Sequence, residues 1–174
     1  MRRPVPRASG FTIVELLIVI VVIGILAAIV LNSFSNSQKQ ARDAKRMTDL
    51  TAIVKAVRSY GASTGAFPAV TANPGIDGWE VSTDPAGSFI ESLVTARLFN
   101  EVPVDPTNNS QYTYRYYRYA GGSYNCNGGQ SYFVVAIEHT EQYGNAKHPK
   151  SPGWACSSRD WQSEFSWVTG GYIE

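Results

Sequence analysis

From Phe11 to Leu31 the chain is apolar at every position except Thr12, Glu15 and Gly24. As a helix this run rises roughly 31 Å at ~1.5 Å per residue, which matches the ~30 Å hydrocarbon core of a bilayer. Its Ile and Val content reads as strand in water. In lipid an isolated strand leaves its backbone groups unpaired, so a membrane helix is predicted. Residues 38–60, QKQARDAKRMTDLTAIVKAVRSY, contain neither Gly nor Pro. Ala44, Met47, Leu50, Ile53, Val54 and Val57 recur there at spacings of three and four, an apolar stripe at helical period. One helix continuing from the membrane to about Tyr60 is predicted, with the stripe laid against a head formed by residues 61–174. Lys39, Lys45, Arg46, Lys55 and Arg58 interleave with the stripe and read as a solvated face. Contact with acidic heads of neighbouring copies, or adsorbed DNA, are the other readings.

Gly61, Gly65 and Pro68 end that helix, and residues 69–87 read as a loop holding Pro74, Gly75, Gly78, Pro85 and Gly87. Ser88-Phe89-Ile90-Glu91 has the spacing of a capping box and opens a short helix to about Phe99, with Ile90, Leu93, Val94 and Leu98 on one side. Val102-Pro103-Val104-Asp105-Pro106 breaks it. In residues 111–119, QYTYRYYRY, Tyr112, Tyr114 and Tyr116 alternate before the phase shifts at Tyr117 and Tyr119. That pattern predicts a strand with a bulge or strong twist. Residues 131–139, SYFVVAIEH, make the strongest strand, joined to the first by a long hairpin through Gly121-Gly122 and Gly128-Gly129. A third strand is expected within residues 164–168 and a fourth near Trp154. Antiparallel strands against a helix give an α+β class.

At 174 residues this is one domain, or an appendage plus one domain. The net charge of +1 is unevenly spread: +3 over residues 1–10, +4 over 32–60, −5 over 61–174, with Glu15 completing the sum. Arg2, Arg3 and Arg7 before the first apolar segment favour the N-terminus inside, although the basic neck opposes this. A secretory signal cleaved after Ser33-Phe34-Ser35 is one alternative, but the run exceeds the usual apolar core of about 7–15 residues. A plain anchor with an incidental Glu15 is another. A carboxylate in a membrane helix costs ~2.5–3.5 kcal/mol at the centre and less near the edge, so a charge kept there usually has a partner. A cut after Gly10 would give Phe11 a new α-amino group one helical turn from Glu15, able to neutralise it within a chain or between chains.

Gly10-Phe11-Thr12-Ile13-Val14-Glu15-Leu16-Leu17, behind a ten-residue basic leader, resembles the class III signal of type IV pilins and pseudopilins. The resemblance covers residues 1–60 most strongly. It implies that a prepilin peptidase removes residues 1–10, cutting between Gly10 and Phe11 and methylating the Phe11 amine. It also implies Glu15 as the assembly residue, a cytoplasmic ATPase and a membrane platform protein as partners, and other copies of the chain as neighbours in a filament. A pilin-like α/β roll is the implied fold, with residues 11–31 as transmembrane and filament-core helix, 32–60 as its amphipathic extension and 61–174 as the head. One departure is the absence of proline between Pro6 and Pro68, where many pilins loosen the helix. Gly24 and residues 32–37 are the weakest helix formers there.

Cys126 and Cys156 lie in the region expected to be exported and read as a disulfide closing a loop of about 30 residues, worth ~3–4 kcal/mol in the chain-entropy model. Free thiols would remain in a host that exports reduced proteins. The bond would resemble the C-terminal disulfide loop of many pilins. The cysteines with His139 and His148 are spaced 13, 9 and 8 apart, without a C-x-x-C or H-x₃₋₅-H pair, so no metal site is assigned. Glu138 and Glu141 read as solvated acids, and no nucleophile or phosphate-loop motif supports an enzyme or a cofactor. Asp105, Asn108 and Asn109 resemble calcium-holding loops of some pseudopilins, but ordinary turn chemistry accounts for them. The tyrosine strand with Arg115 and Arg118 could stack nucleic-acid bases; half core and half subunit contact is the favoured reading.

The chain is therefore expected to be a pilin-like structural subunit, single-pass in the cytoplasmic membrane before assembly and in an extracellular pilus afterwards. Adhesion, motility or DNA uptake would follow. A pseudopilin of a secretion or competence system is the alternative. From another class, a membrane-anchored or secreted binding domain that does not assemble is the competitor.

Overall fold

The computed structural model describes residues 10–71, 78–84, 88–126 and 129–173. The arginines of the leader, Pro74, Gly75, Pro85, Gly87 and Gly128 lie outside them. The described chain falls into two units, divided between Lys39 and Gln40.

Helix α1 (Ile13–Thr64) crosses that division. In the first unit every described residue from Gly10 to Lys39 is exposed, including the whole apolar run. This is the one helix among the described residues long and apolar enough to cross a membrane. Gly24 and residues 32–37 do not interrupt it. There Asn32 Nδ2 donates to the Ala28 carbonyl at 3.2 Å and Ser37 Oγ to the Ser33 carbonyl at 3.0 Å.

In the second unit α1 turns one face to the head. Leu50, Ile53 and Val57 are buried, with Met47 and Val54 partly buried beside them. The stripe departs from expectation at its start. Ala44 is exposed, and the buried positions there are Asp43, Arg46 and Asp49. The helix also runs past Tyr60 to Thr64. Gly61 lies inside it because a Cβ there would come within 2.8 Å of the Phe67 ring. The stop is Gly65, at φ +77, whose N–H donates to the Gly61 carbonyl at 2.9 Å.

The head carries strands β1 (Glu80–Val81), β2 (Tyr114–Tyr119), β3 (Tyr132–Ile137), β4 (Ala155–Cys156), β5 (Arg159–Asp160) and β6 (Trp167–Tyr172). Four of them form an antiparallel sheet in the order β1-β2-β3-β6, and β4 pairs with β5. The register of β2 against β3 is unbroken from Tyr114↔Ile137 to Tyr119↔Tyr132, so the expected bulge is absent. The tyrosines change phase because both sheet faces are buried. Tyr114 and Tyr116 join Leu50, Ile53, Val57, Phe133 and Val135 on the α1 side. Tyr119, with Tyr132, Val134, Trp79 and Trp161, fills the opposite side, where Tyr117 packs at the margin. In this second set Tyr119 is covered by the chain's own C-terminal segment, while Tyr117 stays half-buried.

Helix α2 (Glu91–Thr95) is shorter than the range expected for it, and its capping box does not form. The N-cap is Ile90, at φ 46, without a side-chain cap. The buried Glu80 takes over: its Oε2 accepts the Ile90 N–H at 2.8 Å while its Oε1 accepts from the Thr71 N–H and hydroxyl. The third expected strand is β6, displaced toward the C-terminus, and it contains Gly170-Gly171. A Cβ on Gly170 would approach the Trp154 ring to 2.5 Å and the Phe133 carbonyl to 2.6 Å. Gly170→Ala is therefore expected to destabilise the head by about 1–3 kcal/mol through overpacking, read from denaturant unfolding followed by tryptophan fluorescence.

Candidate assembly site

The helix begins with a capping box that its own sequence supplies. Thr12 is the residue before the first helical position, and Glu15 lies three further on, the T-x-x-E spacing. Glu15 Oε2 accepts the Thr12 N–H at 2.9 Å and the Thr12 hydroxyl at 2.7 Å, and the Glu15 N–H donates back to Thr12 Oγ1 at 3.3 Å. The carboxylate is thereby drawn toward the positive end of the helix, where backbone N–H groups lack intrahelical partners. The same signature was read at Ser88–Glu91, where it does not form, and was overlooked at Thr12–Glu15, where it does.

Gly10 and Phe11 precede the helix in irregular backbone. Phe11 is 75% exposed, and nothing approaches the Gly10 Cβ position within 4 Å. Beyond them the large apolar side chains from Ile13 to Phe34 are exposed among the described residues.

The head holds a second arrangement that sequence reading missed. Arg46, interleaved with the apolar stripe and taken for a solvated cation, is fully buried. Its Nε and Nη2 fork onto Asp105 at 2.8 and 3.0 Å, and its Nη1 donates to Asp43 at 2.7 Å and Glu141 at 2.9 Å. The Tyr112 ring lies over the guanidinium, 4.8 Å from ring centroid to Cζ. Arg42 donates to Glu141 at 2.6 Å, while Asp43 accepts the backbone N–H groups of Glu141 and Gln142 at 3.0 and 2.9 Å. Burial alone would weaken Arg46's hold on its proton, but the bonds and charge of Asp105 outweigh it and raise its pKa. One arginine thus ties α1 to the turn at residues 105–107 and to the turn at 140–144.

The network accounts for residues assigned otherwise from sequence. Glu141 is not solvated; it is mostly buried against Arg42 and Arg46. Asp105 faces Arg46 and the N–H groups of Thr107 and Asn108, so its carboxylate already has a cation. Asn109 Oδ1 accepts from the Gln111 and Tyr112 N–H groups, as turn chemistry requires. Glu138 pairs with Arg115, and Arg118 donates to the Phe67 carbonyl at 2.9 Å. His139 and His148 sit beside Tyr112 and Tyr143, and no acid, histidine and cysteine group with metal-holding geometry occurs among the described residues. Cys126 and Cys156 are joined in a disulfide, with Cα atoms 4.9 Å apart.

Arg42, first, and Arg46 hold the Glu141 carboxyl below its ordinary value near 4.5. A folded pKa below the unfolded one means that the unfolded chain binds the extra proton first. The stabilisation is present at neutral pH and is lost as pH falls below about 4.5. Glu141→Gln should flatten the acid limb of a stability–pH curve measured by urea unfolding, with the neutral end lowered.

Residues 6–31 match the family pattern described as the prokaryotic N-terminal methylation motif. The chain is 30% identical over 103 residues to the type II secretion system core protein G of Aeromonas hydrophila, covering 59% of this chain and 70% of that protein. To the core protein G of Escherichia coli (strain K12) it is 30% identical over 110 residues, 62% of this chain and 72% of the other. To the type IV major pilin protein PilA of Myxococcus xanthus (strain DK1622) it is 42% identical over 55 residues, 32% of this chain and 25% of that one. No solved structure gives a significant match. A shared membrane helix cannot account for the similarity, because 103 aligned residues exceed the 52 of α1 and reach into the head, and the chain belongs to the type IV pilin and pseudopilin family.

Proposed function

We propose that the chain is cut between Gly10 and Phe11 by a prepilin peptidase, methylated at the Phe11 amine, and polymerised through α1 into a filament. The observation that carries this reading is the capping box that draws the Glu15 carboxylate onto the N–H and hydroxyl of Thr12, the residue that follows the Phe11 whose amine the cut would release. In lipid, and then among packed helices, an unpaired charge is costly, so each carboxylate seeks an amine and fixes the axial stagger of neighbours. Packing of the uncovered apolar surface against other copies would replace its lipid contacts. The N-terminus would lie in the cytoplasm and the head outside, with an ATPase and a platform protein driving assembly. The chain acts as structural material and not as an enzyme.

A long hairpin and a disulfide in the head favour a pilus subunit. A pseudopilus is favoured by a different observation: the similarity to secretion core proteins runs through 70% of their length, whereas the PilA match covers 25% of that protein. Deleting the coding sequence in its host separates the two. Loss of surface filaments in electron micrographs with unchanged secreted protein supports the pilus. Intact surface filaments with secreted proteins retained in the cell envelope support the pseudopilus. Neither change would remove filament assembly as the function.

A further inference from the structure

On the sheet face opposite α1 a cleft of about 300 Å³ opens beside β2. It is lined by Trp79, Arg115, Tyr117, Tyr124, Arg159 and Glu164, among others. From the structure we infer that this cleft binds a neutral carbohydrate.

The aromatic side chains form a continuous cluster: the Trp79 ring centroid lies 5.6 Å from Tyr117 and 5.4 Å from Phe165, and Tyr117 lies 4.4 Å from Tyr119. Trp79 and Phe165 are buried, whereas Tyr117 is half-buried and Tyr124 is 41% exposed, so the two tyrosines supply the accessible aromatic surface. Tyr124 and Asn125 both hold left-handed backbone, at φ 54, without being glycine. Such strain persists only where surrounding contacts enforce it, and it clusters at ligand-holding sites. Arg159 holds the Tyr124 side chain: its Cζ stacks 4.9 Å from the Tyr124 ring and 5.0 Å from the Trp161 ring, and its Nη1 donates to the Tyr124 hydroxyl at 2.8 Å.

The charges decide the class of ligand. Arg159 forks onto Glu164 at 2.7 and 2.6 Å, and Arg115 is paired with Glu138. Both guanidiniums are neutralised, so a phosphate or sialic acid would meet Glu164 without a spare cation to offset it. Hydrogen-bonding capacity is nevertheless left over. Among the described residues Arg159 uses three of its five N–H donors, Arg115 Nε has no acceptor, and the partly exposed Glu164 oxygens retain lone pairs. A pyranose offers C–H faces to aromatic rings and hydroxyls that both donate and accept around its edge. The cleft volume sits at the lower end of the range for ligand sites, the size for a terminal sugar.

The test uses the full chain, unassembled, in micelles of a detergent without a sugar headgroup. Saturation-transfer NMR is run with methyl β-galactoside, methyl α-glucoside, methyl β-N-acetylglucosaminide and dithymidine phosphate as probes. Transfer to the ring protons of at least one glycoside is expected, with affinity falling at least tenfold in Tyr117→Ala and in the near-isosteric Glu164→Gln. If Tyr117→Ala does not fold, Glu164→Gln alone decides. The inference is overturned by silence of all three glycosides, by transfer undiminished in the folded variants, or by transfer to dithymidine phosphate alone. Because the measurement needs no filament, its failure leaves the assembly reading intact, and failure of assembly leaves the cleft untouched.

Discussion

Glu15→Val is expected to abolish filament formation while the subunit still accumulates in the membrane. The substitution removes a charge whose insertion is unfavourable by up to ~2.5–3.5 kcal/mol, so partition into lipid is not impaired. It also removes the capping contacts with Thr12, a loss of about 1 kcal/mol that a helix of 52 residues tolerates. What it would not supply, under the proposed processing, is the counter-charge for the Phe11 amine. Each added subunit would then bury a cation with no partner, and no preferred stagger would remain. Membrane fractionation and sheared-filament preparations measure the two outcomes separately. Normal filaments from the variant would remove Glu15 from the assembly mechanism.

Arg46→Ala is expected to cost the head about 3–5 kcal/mol, because it leaves the buried Asp43 and Asp105 carboxylates and that of Glu141 without their shared cation. Against a typical total of about 5–15 kcal/mol this is a large fraction. Arg46→Lys should not restore it, since an ammonium cannot fork onto Asp105 while reaching Asp43 and Glu141. Urea unfolding followed by tryptophan fluorescence gives the difference directly. A loss below about 1 kcal/mol for Arg46→Ala would mean that the carboxylates find water or protons at little cost, and that the network does not hold α1 to the head.

The N-terminal helix was legible because its pattern is local. The apolar run from Phe11 to Leu31 is broken by one carboxylate, and lipid permits one backbone form for it. The central strands were legible from pattern: alternation at the start of β2, and in β3 a continuous apolar run whose residues Tyr132 to Ile137 are all buried. The remainder depended on contacts far apart in sequence. Arg46 looks like any basic residue on a helix until Asp105 and Glu141, 59 and 95 positions away, are brought to it. Two residues of β1 carry no period at all. Strand β6 lies further along than the expected 164–168, and its Gly170 and Gly171 admit the rings of Trp154 and Phe133, contacts that sequence alone does not show. Glu80, read as part of a loop, holds the start of α2 in place of the local capping pair. The aromatic residues at Tyr124 and Trp161 gave no warning that Arg159 would gather them.

The central claim is that the chain is processed for assembly, and the mature N-terminus tests it most directly. Protein isolated from its host should give, by intact mass and terminal-peptide mass spectrometry, a chain that begins at N-methylated Phe11. A chain beginning at Met1, or near Asn36, would contradict the account and leave a plain anchor or a secreted domain.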